Sequence, residues 1–258
     1  MFQIKTQLID NKIIRDKYLR LAIQTAKVAK HAKPGQFVEI KVSDGFKPLL
    51  RRPISIHRVK GSRIEILYEV VGKGTELLSQ KKAGEYLDII GPLGNGFDYQ
   101  SHVTSRTSQV LVAGGIGVAP LLFLAEKLRS KNTVVLIGAK TKDQILCKND
   151  FKKLGCDVRI STDDGSEGFR GKVTDLLKGL LRTKSQEPRA AIYACGPELM
   201  LKEIRQISKS YDIPAQVSLE AHMACGFGAC LGCAVDTQAG YKLVCKDGPV
   251  FNAEEILW

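Results

Sequence analysis

Short apolar segments separated by glycine-containing breaks make up most of the first hundred residues. β-forming side chains are concentrated at residues 36–42, 54–59, 63–71 and 86–90. Segments of this length, bounded by turn residues, are typical of short strands that return on one another. The pattern predicts an antiparallel β-barrel, which we assign to an N-terminal domain of residues 1–100.

The pattern changes at residue 109, where continuous apolar strands begin to alternate with helical segments. Strands are predicted at residues 109–113, 133–139, 158–161 and 190–194, and helices at 121–130, 172–181 and 198–210. This alternation predicts a parallel sheet with crossover helices, that is, a Rossmann-like α/β domain at residues 101–214. The polar stretch 98–108 lacks apolar periodicity and is expected to link the two domains.

The third predicted domain, residues 215–258, is marked by four of the seven cysteines. Cys225, Cys230 and Cys233 are separated by four and two residues, and Cys245 follows after eleven more. This spacing is typical of a plant-type [2Fe–2S] cluster, and the glycines of the loop let backbone N–H groups point at the sulfurs. A structural zinc site, or four buried cysteines without a metal, are the alternatives.

Two turns of the α/β domain each follow a predicted strand and precede a helix. The first contains Gly114, Gly115 and Gly117 in the sequence GGIGVAP, and the second contains Cys195 and Gly196 in CGP. Glycines in such a turn let a phosphate approach the backbone, and ligands of open α/β sheets lie beyond the carboxyl ends of the strands. We expect both turns to line one dinucleotide crevice. The first turn departs from G-x-G-x-x-G, and a tight turn without a ligand is the alternative.

The predicted barrel has two features that fit a pyrophosphate. Arg52 opens the sequence RPIS on a predicted strand, and Gly74 and Thr75 lie in a glycine-rich segment before an apparent helix. A guanidinium group and a helix N-terminus are independent ways to hold phosphates, and the hydroxyl of Ser55 could hydrogen-bond a flavin ring. Each feature alone is also typical of a surface turn.

Composition narrows the class of protein. The chain has 258 residues, 44% of them hydrophobic, and its 39 Lys and Arg against 27 Asp and Glu give a net charge of +12. The basic residues are spread along the chain rather than gathered in an arm, which disfavours nucleic acid as a partner and suits anionic cofactors. No apolar run is long enough for a membrane span, and the N-terminal segment lacks the order of a signal peptide. With its crowded cysteines, the chain is expected to be cytoplasmic, without membrane insertion.

The order RPIS, GGIGVAP, YACGP and the C-terminal cysteine motif resembles the ferredoxin–NADP reductase superfamily. The segments LLRRPISI, GPLGNGF, CGFGAC and DGPVF make nearly the whole chain similar to the electron-transfer subunits of type B dihydroorotate dehydrogenase. The resemblance implies FAD on the barrel, a nicotinamide dinucleotide on the α/β domain, and a [2Fe–2S] cluster on Cys225, Cys230, Cys233 and Cys245. It assigns the FAD contacts to Arg52, Pro53, Ile54, Ser55, Tyr68, Glu69, Val70, Gly74 and Thr75. Ile54 departs from the superfamily, in which many members have a tyrosine against the flavin.

The resemblance also implies a subunit that converts between two-electron and one-electron transfer, with no catalytic acid or base of its own. An FMN-containing catalytic subunit would oxidise dihydroorotate in pyrimidine (UMP) biosynthesis. Electrons would pass through the cluster and FAD to NAD+, in an assembly of two copies of each subunit. The alternatives are a reductase subunit serving a ferredoxin, an oxygenase or an electron-bifurcating partner, and, from another class, a zinc-stabilised basic binding module.

The choice of nucleotide depends on one acidic segment. Asp163 and Asp164 follow a predicted strand of the α/β domain. Carboxylates there accept a hydrogen bond from a ribose hydroxyl and repel a 2′-phosphate, so they favour NAD over NADP. Lys140 and Lys142 follow the neighbouring strand and act in the opposite direction.

Overall fold

A closed six-stranded barrel forms the N-terminal part of the chain. The computed structural model describes residues 1–101, 108–128, 132–183 and 190–258, so most of the expected linker lies outside the described residues. The barrel strands are β1 (Phe2–Arg15), β2 (Tyr18–Gln24), β3 (Phe37–Lys41), β4 (Arg52–Lys60), β5 (Arg63–Glu69) and β6 (Tyr86–Leu93), with helices α1 (Ala26–His31) and α2 (Lys73–Ser79) between them. Neighbouring strands are antiparallel in the order β1-β2-β5-β4-β3-β6. The predicted barrel is confirmed, and β1 and β2 are strands that the sequence analysis did not identify.

Alternation along the strands separates the barrel interior from its outer face. Val38 and Ile40 on β3 are fully buried and pack in the barrel core with Leu8. Because successive strand residues point to opposite faces, Phe37 and Glu39 lie on the outer face of the same strand. Phe37 belongs there to an apolar cluster formed with the C-terminal part of the chain. The outer face of β3 is therefore covered rather than exposed to solvent.

The second part of the chain is an α/β unit. Its strands are β7 (Ser108–Gly114), β8 (Thr133–Ala139), β9 (Asp157–Thr162), β10 (Phe169–Arg170), β11 (Ala190–Cys195) and β12 (Ala215–Ser218), and its helices are α3 (Val118–Leu128), α4 (Lys148–Lys153), α5 (Val173–Thr183) and α6 (Glu198–Tyr211). The strands are parallel in the order β10-β9-β8-β7-β11-β12. Burial of both faces explains the nearly continuous apolar sequences of β7, β8 and β11. The predicted Rossmann-like sheet is confirmed.

The C-terminal segment contains a short hairpin and one strand of the large sheet. Strands β13 (Ala234–Thr237) and β14 (Gly240–Leu243) form the antiparallel hairpin, and β15 (Val250–Asn252) adds to the large sheet antiparallel to β12. Both β12 and β15 lie within the range 215–258 that we assign to a third domain. That range therefore shares its sheet with the α/β unit, and the three-domain division stays a prediction.

Backbone bonds tie the C-terminal segment to the barrel as well. The Asn95 N–H donates to the Gly248 carbonyl at 2.5 Å, and the Asn95 side-chain amide donates to the carbonyls of Lys246 and Asp247 at 3.2 and 3.0 Å. On the other side, the Leu219 N–H donates to the Pro249 carbonyl at 2.8 Å. Residues 246–252 are thus bonded to both larger units.

The barrel and the α/β unit also meet directly along β4 and α3. The guanidinium of Arg58 contacts the carboxylates of Glu126 at 2.5 Å and Asp150 at 3.1 Å. Nδ1–H of the buried His57 donates to the Ala119 carbonyl at 2.8 Å. Burial lowers the pKa of His57 to about 4, so the ring is neutral at physiological pH.

Among the described residues, no helix is both long enough and apolar enough to cross a membrane.

Candidate functional site

A cavity of about 520 Å³ lies where the barrel, the α/β unit and the start of the C-terminal segment meet. The barrel wall comes from β4, β5 and α2, and the opposite wall from the turn between β7 and α3. A third wall is residues 218–223, which run from β12 toward the cysteine motif. The cavity is therefore lined by the two predicted nucleotide-binding regions and by the segment that leads to the cysteine motif.

The barrel wall contains most of the residues predicted to bind FAD. Of that set, the cavity is lined by Arg52, Pro53, Ile54, Ser55, Tyr68, Glu69 and Thr75, whereas Val70 and Gly74 are not part of its surface. The Tyr68 hydroxyl donates to Asn11 Oδ1 at 3.0 Å, and burial raises the pKa of Tyr68 to about 12. This phenol is therefore a fixed neutral group and not a proton donor for chemistry near pH 7.

Gly74 leaves the space that the guanidinium of Arg52 occupies. A Cβ atom at position 74 would lie 2.5 Å from Cζ and 2.6 Å from Nη2 of Arg52, so only glycine lets the guanidinium lie in this place. Nη1 of Arg52 also donates to the Leu50 carbonyl at 2.7 Å. The guanidinium is thus held at the cavity wall with donor capacity left over for an anion.

Thr75 lines the cavity, and its hydroxyl also makes hydrogen bonds within the protein. Its hydroxyl accepts from the backbone N–H groups of Val71 and Gly72 at 3.0 and 3.2 Å, and it donates to the Gly72 carbonyl at 3.0 Å. These bonds close the turn before α2. Thr75 therefore shapes the backbone beside Arg52, and its hydroxyl is already engaged within the protein.

The wall from the α/β unit contains Gly117 and Cys195 of the predicted nucleotide-binding set. Cys195 is buried, and burial is the main cause that raises its pKa, so it stays a neutral thiol. Gly117 packs against the turn after Cys195, since a Cβ atom there would lie 2.7 Å from the Gly196 nitrogen. The two glycine turns thus meet at the carboxyl ends of β7 and β11, where the sheet topology places a ligand.

The remaining glycines of the set lie behind the cavity surface. A Cβ atom on Gly114 would lie 2.6 Å from Pro197 Cδ and 2.9 Å from Met200 Sδ. Gly196 has a φ of +156° and approaches Gly114 closely, and Gly115 has a φ of +54°. Close packing of the two turns is therefore one physical reason for glycine at these positions, alongside the predicted approach of a phosphate.

The segment of residues 218–223 is the part of the site that the sequence analysis missed. Ser218 ends β12 beside Cys195 at the end of β11, and this pairing brings the following residues Glu220 and His222 onto the cavity wall. Burial raises the pKa of Glu220, and the nearby Glu69 raises it further. The signal for this segment was its position between the sheet and Cys225.

The four motif cysteines come together as two pairs. Because Ala234 pairs with Leu243 in the β13–β14 hairpin, Cys233 and Cys245 lie side by side, and the Cys245 N–H donates to Cys233 Sγ at 3.4 Å. Cys225 and Cys230 form the pair at the other end of the motif, and the nearby Cys230 thiol is one of the causes that lower the pKa of Cys225. Cys233 and Cys245 are buried, and Cys230 is exposed.

The loop from residue 225 to 230 turns its backbone N–H groups toward sulfur. The Ala229 N–H donates to Cys225 Sγ at 3.2 Å. Burial raises the pKa of the Cys225 thiol, but backbone hydrogen bonds from Phe227 and Cys230 outweigh it and lower the pKa to about 6. Gly226 and Gly228 have φ values of +77° and +91°, which this curvature requires.

This donor set fits a [2Fe–2S] cluster, in which four thiolates bind two irons. Within the part of the chain that the structure describes, no group of three or more His, Cys, Asp or Glu side chains is arranged to hold a metal ion. Two sulfur pairs and a loop of inward N–H groups are the features that support the predicted ligands Cys225, Cys230, Cys233 and Cys245, which stay a prediction.

The acidic segment predicted to select the nucleotide lies at the end of β9. Asp164 accepts from the Ser166 N–H at 2.9 Å and from its hydroxyl at 2.6 Å, and these bonds lower its pKa. Asp163 is exposed and follows the last residue of β9, Thr162. Of the two carboxylates, Asp163 is therefore the one with more freedom to meet a ribose.

Sequence comparisons match both halves of this site. Residues 220–257 match the family described as the iron–sulfur cluster binding domain of dihydroorotate dehydrogenase B, and residues 111–206 match the oxidoreductase NAD-binding domain. Among solved structures, an NADH-dependent reduced ferredoxin-NADP oxidoreductase studied for flavin-based electron bifurcation has a TM-score of 0.85 and 31% identity, over 98% of this chain and 90% of that chain. A ferredoxin NADP+ reductase from Neisseria gonorrhoeae with bound FAD and NADP has a TM-score of 0.69 at 16% identity, over 81% of this chain and 91% of that chain, which shows the fold alone.

Curated relatives are similar over nearly the full chain. The dihydroorotate dehydrogenase B (NAD(+)) electron transfer subunit of Bacillus pumilus is 40% identical over 257 residues, which is 96% of each chain. That of Desulforamulus reducens is 43% identical over 239 residues, which is 90% of this chain and 89% of the relative. The chain therefore belongs to the family of dihydroorotate dehydrogenase B (NAD(+)) electron transfer subunits.

Proposed function

We propose that this protein carries electrons between an FMN-containing dihydroorotate dehydrogenase catalytic subunit and NAD+, in a complex with two copies of each subunit. The observation that supports this most directly is the full-length similarity to subunits of that name, at 43% identity over 90% of the chain. The cavity adds physical support, because it joins the barrel, the nucleotide-binding turns and the segment that leads to the cysteine motif.

When bound, FAD supplies hydride exchange with the nicotinamide, and the [2Fe–2S] cluster supplies the transfer of single electrons. The residues of this chain bind these groups and orient them. Arg52 holds the diphosphate of FAD, and Gly74 gives its guanidinium the room to do so. Pro53, Ile54 and Ser55 of the same strand line the flavin side of the cavity. Ile54 gives an apolar surface where many superfamily members have an aromatic ring.

On the opposite wall, Gly117 and Cys195 would give the nicotinamide ring a surface to pack against. The thiol of Cys195 stays protonated because burial raises its pKa, so it acts through shape and not as a base. Asp163 binds the ribose hydroxyls and gives the preference for NAD over NADP. No side chain of the described residues is assigned a catalytic acid or base role.

The cysteine motif holds the cluster, with Cys225 and Cys230 on the glycine loop and Cys233 and Cys245 beside the hairpin. Iron binding requires thiolates, and the backbone N–H groups around Cys225 favour the charged form of that sulfur. Reduced cysteines at this density fit the cytoplasm, which we propose as the location of the protein.

A second candidate function is favoured by one specific observation. The TM-score of 0.85 relates this chain to an NADH-dependent reduced ferredoxin-NADP oxidoreductase studied for electron bifurcation. In that case the cavity and the cysteine motif keep their roles, and the partner subunit is a different flavoprotein.

The test is anaerobic purification of the untagged native protein with the subunits that accompany it. Dihydroorotate is then added, and the visible spectrum and NADH formation on addition of NAD+ are recorded. Bleaching of the flavin and cluster bands followed by NADH formation is expected. If dihydroorotate leaves the spectrum unchanged while NADH bleaches both chromophores, the partner assignment is wrong. In that event, reduced ferredoxin and NADPH are tested in place of dihydroorotate.

A further inference from the structure

A buried carboxyl group without a partner lies between the cavity and the cysteine motif. Glu39 on β3 is fully buried, and both of its carboxyl oxygens lack a hydrogen-bond partner among the described residues. Burial of a carboxyl group costs free energy unless another group forms a hydrogen bond with it. The proposed function does not account for this side chain.

The carboxyl group faces the glycine loop of the motif. A Cβ atom on Gly226 would lie 2.7 Å from Oε1 and 2.6 Å from Cγ of Glu39. Gly226 directly follows Cys225, and its missing side chain leaves the space that the carboxyl group occupies. The barrel thus reaches the cluster loop at this residue.

Glu39 also lies close to the cavity that is proposed to bind FAD. Phe37, two residues earlier on the same face of β3, lines the cavity. Two residues of a strand span roughly 7 Å. Glu39 is therefore the polar side chain on this face of β3 between the cavity and the cluster loop.

Two cations whose charges act on Glu39, Arg51 and Arg52, are hydrogen-bonded to other groups. Arg51 donates to the Asp88 carbonyl at 2.8 Å and to its carboxylate at 2.9 Å. Arg52 donates to the carbonyls of Leu50 and Arg51. Neither guanidinium hydrogen-bonds Glu39, and among the residues that the structure describes no counter-ion forms an ion pair with its carboxyl group.

The protonation state of the Glu39 carboxyl group determines how it can interact with the sulfur atoms of the cysteine motif. The sulfur atoms of an iron–sulfur cluster and of its thiolate ligands are hydrogen-bond acceptors, and an ionised carboxylate is also an acceptor. A carboxylic acid, in contrast, has one O–H to donate, and burial without a counter-ion favours that neutral form. Hydrogen bonds to cluster sulfurs raise the reduction potential.

We propose that Glu39 is a barrel residue of the cluster site, which donates a hydrogen bond from its carboxyl group toward the sulfurs held by the Cys225 loop and so raises the cluster's reduction potential. The proposal rests on the proposed function, since it takes a [2Fe–2S] cluster on this motif as given. In this account Glu39 acts on the reduction potential of the cluster and does not contact dihydroorotate or the nicotinamide.

The test compares Glu39→Leu and Glu39→Gln with the wild type, each in the complete complex purified anaerobically. Iron and sulfide content, FAD content and thermal unfolding are measured first. The midpoint potential of the cluster is then determined by dye-mediated titration followed by electron paramagnetic resonance. Glu65→Leu is the matched control, because Glu65 is another buried barrel carboxyl, on β5, where it contacts Lys60 at 3.1 Å.

We expect a lower midpoint potential in Glu39→Leu, a value closer to the wild type in Glu39→Gln, which keeps an N–H donor, and no change in Glu65→Leu. A potential in Glu39→Leu that equals or exceeds the wild-type value refutes the proposal, because it excludes a donor at this position. If Glu39→Leu fails to assemble, a raised potential in Glu39→Gln refutes it instead, since removal of a negative charge would have that effect. A wild-type complex without iron and sulfide overturns the proposed function itself.

Discussion

Substitution of Gly74 by alanine separates FAD binding from folding. Gly74 lies in the first turn of α2 with a backbone that other residues also adopt, so the substitution favours the helix by up to about 1 kcal/mol. The new methyl group, however, would lie 2.5 Å from Cζ of Arg52 and displaces its guanidinium from the cavity wall. Because the end of an arginine side chain is flexible, we expect little cost to the stability of the FAD-free protein.

The loss of FAD affinity follows from the bonds that Arg52 can no longer make. A hydrogen bond to a charged group contributes about 1.5–3 kcal/mol. With 1.4 kcal/mol for each factor of ten, the Kd of FAD increases roughly 10- to 140-fold. Arg52→Ala removes the same bonds directly and is expected to have a similar effect.

The assay is titration of the FAD-free protein by quenching of flavin fluorescence, with thermal unfolding of the same samples. Gly179→Ala is the matched control, because position 179 is an exposed helical glycine with no atom within 4 Å of a Cβ. Since Gly74→Ala acts through Arg52, the double variant is expected to bind FAD no more weakly than Arg52→Ala alone. Additive losses in the double variant, or unchanged affinity in Gly74→Ala, would refute the reasoning.

Three further predictions concern the other parts of the molecule. Cys225→Ser is expected to remove most of the iron and the visible cluster absorbance, whereas Cys156→Ser, outside the motif, leaves both unchanged; full iron content in Cys225→Ser would contradict the ligand assignment. Asp163→Arg is expected to raise the rate of flavin reduction by NADPH relative to NADH roughly five-fold, as for one exposed ion pair, and an unchanged ratio would remove Asp163 from the ribose site. Because the folded chain keeps His57 neutral down to a pKa of about 4 while the unfolded chain protonates it near 6.5, stability falls with pH below 6.5, by up to about 2 kcal/mol at pH 5. Urea unfolding at pH 7.5 and pH 5 checks this, and an equal loss in His57→Gln would contradict it.

The local patterns that predicted the fold are those in which sequence and burial coincide. Strands β7 and β8 are buried on both faces, so the segments 109–113 and 133–139 are mostly apolar runs with little ambiguity. In contrast, β1 is half exposed and carries many polar residues, and its strand structure depends on pairing with β2 and β6. The β6 partner lies far away in sequence and leaves no local signal in β1.

The residues of the candidate site also differ in whether a local sequence motif identifies them. Glycines and cysteines at fixed spacings pointed to the cysteine motif and the nucleotide-binding turns, because these residues are needed for local backbone geometry. Glu220 and Glu39 are not part of any motif with a fixed spacing. Each becomes part of the site only through a distant contact, Glu220 through the pairing of β12 with β11 and Glu39 through the approach of Gly226 to the barrel.

The double attachment of residues 246–252 has a consequence for the kinetics of the protein. With β15 in the α/β sheet and Asn95 bonded to Lys246, Asp247 and Gly248, the cysteine motif cannot swing away from the flavin side as a tethered carrier domain would. The distance between the two redox sites is therefore set by the folded chain and not by diffusion on a linker. Electron exchange inside this subunit should accordingly be insensitive to solvent viscosity, and any viscosity dependence of turnover would arise from encounters with substrate or nucleotide.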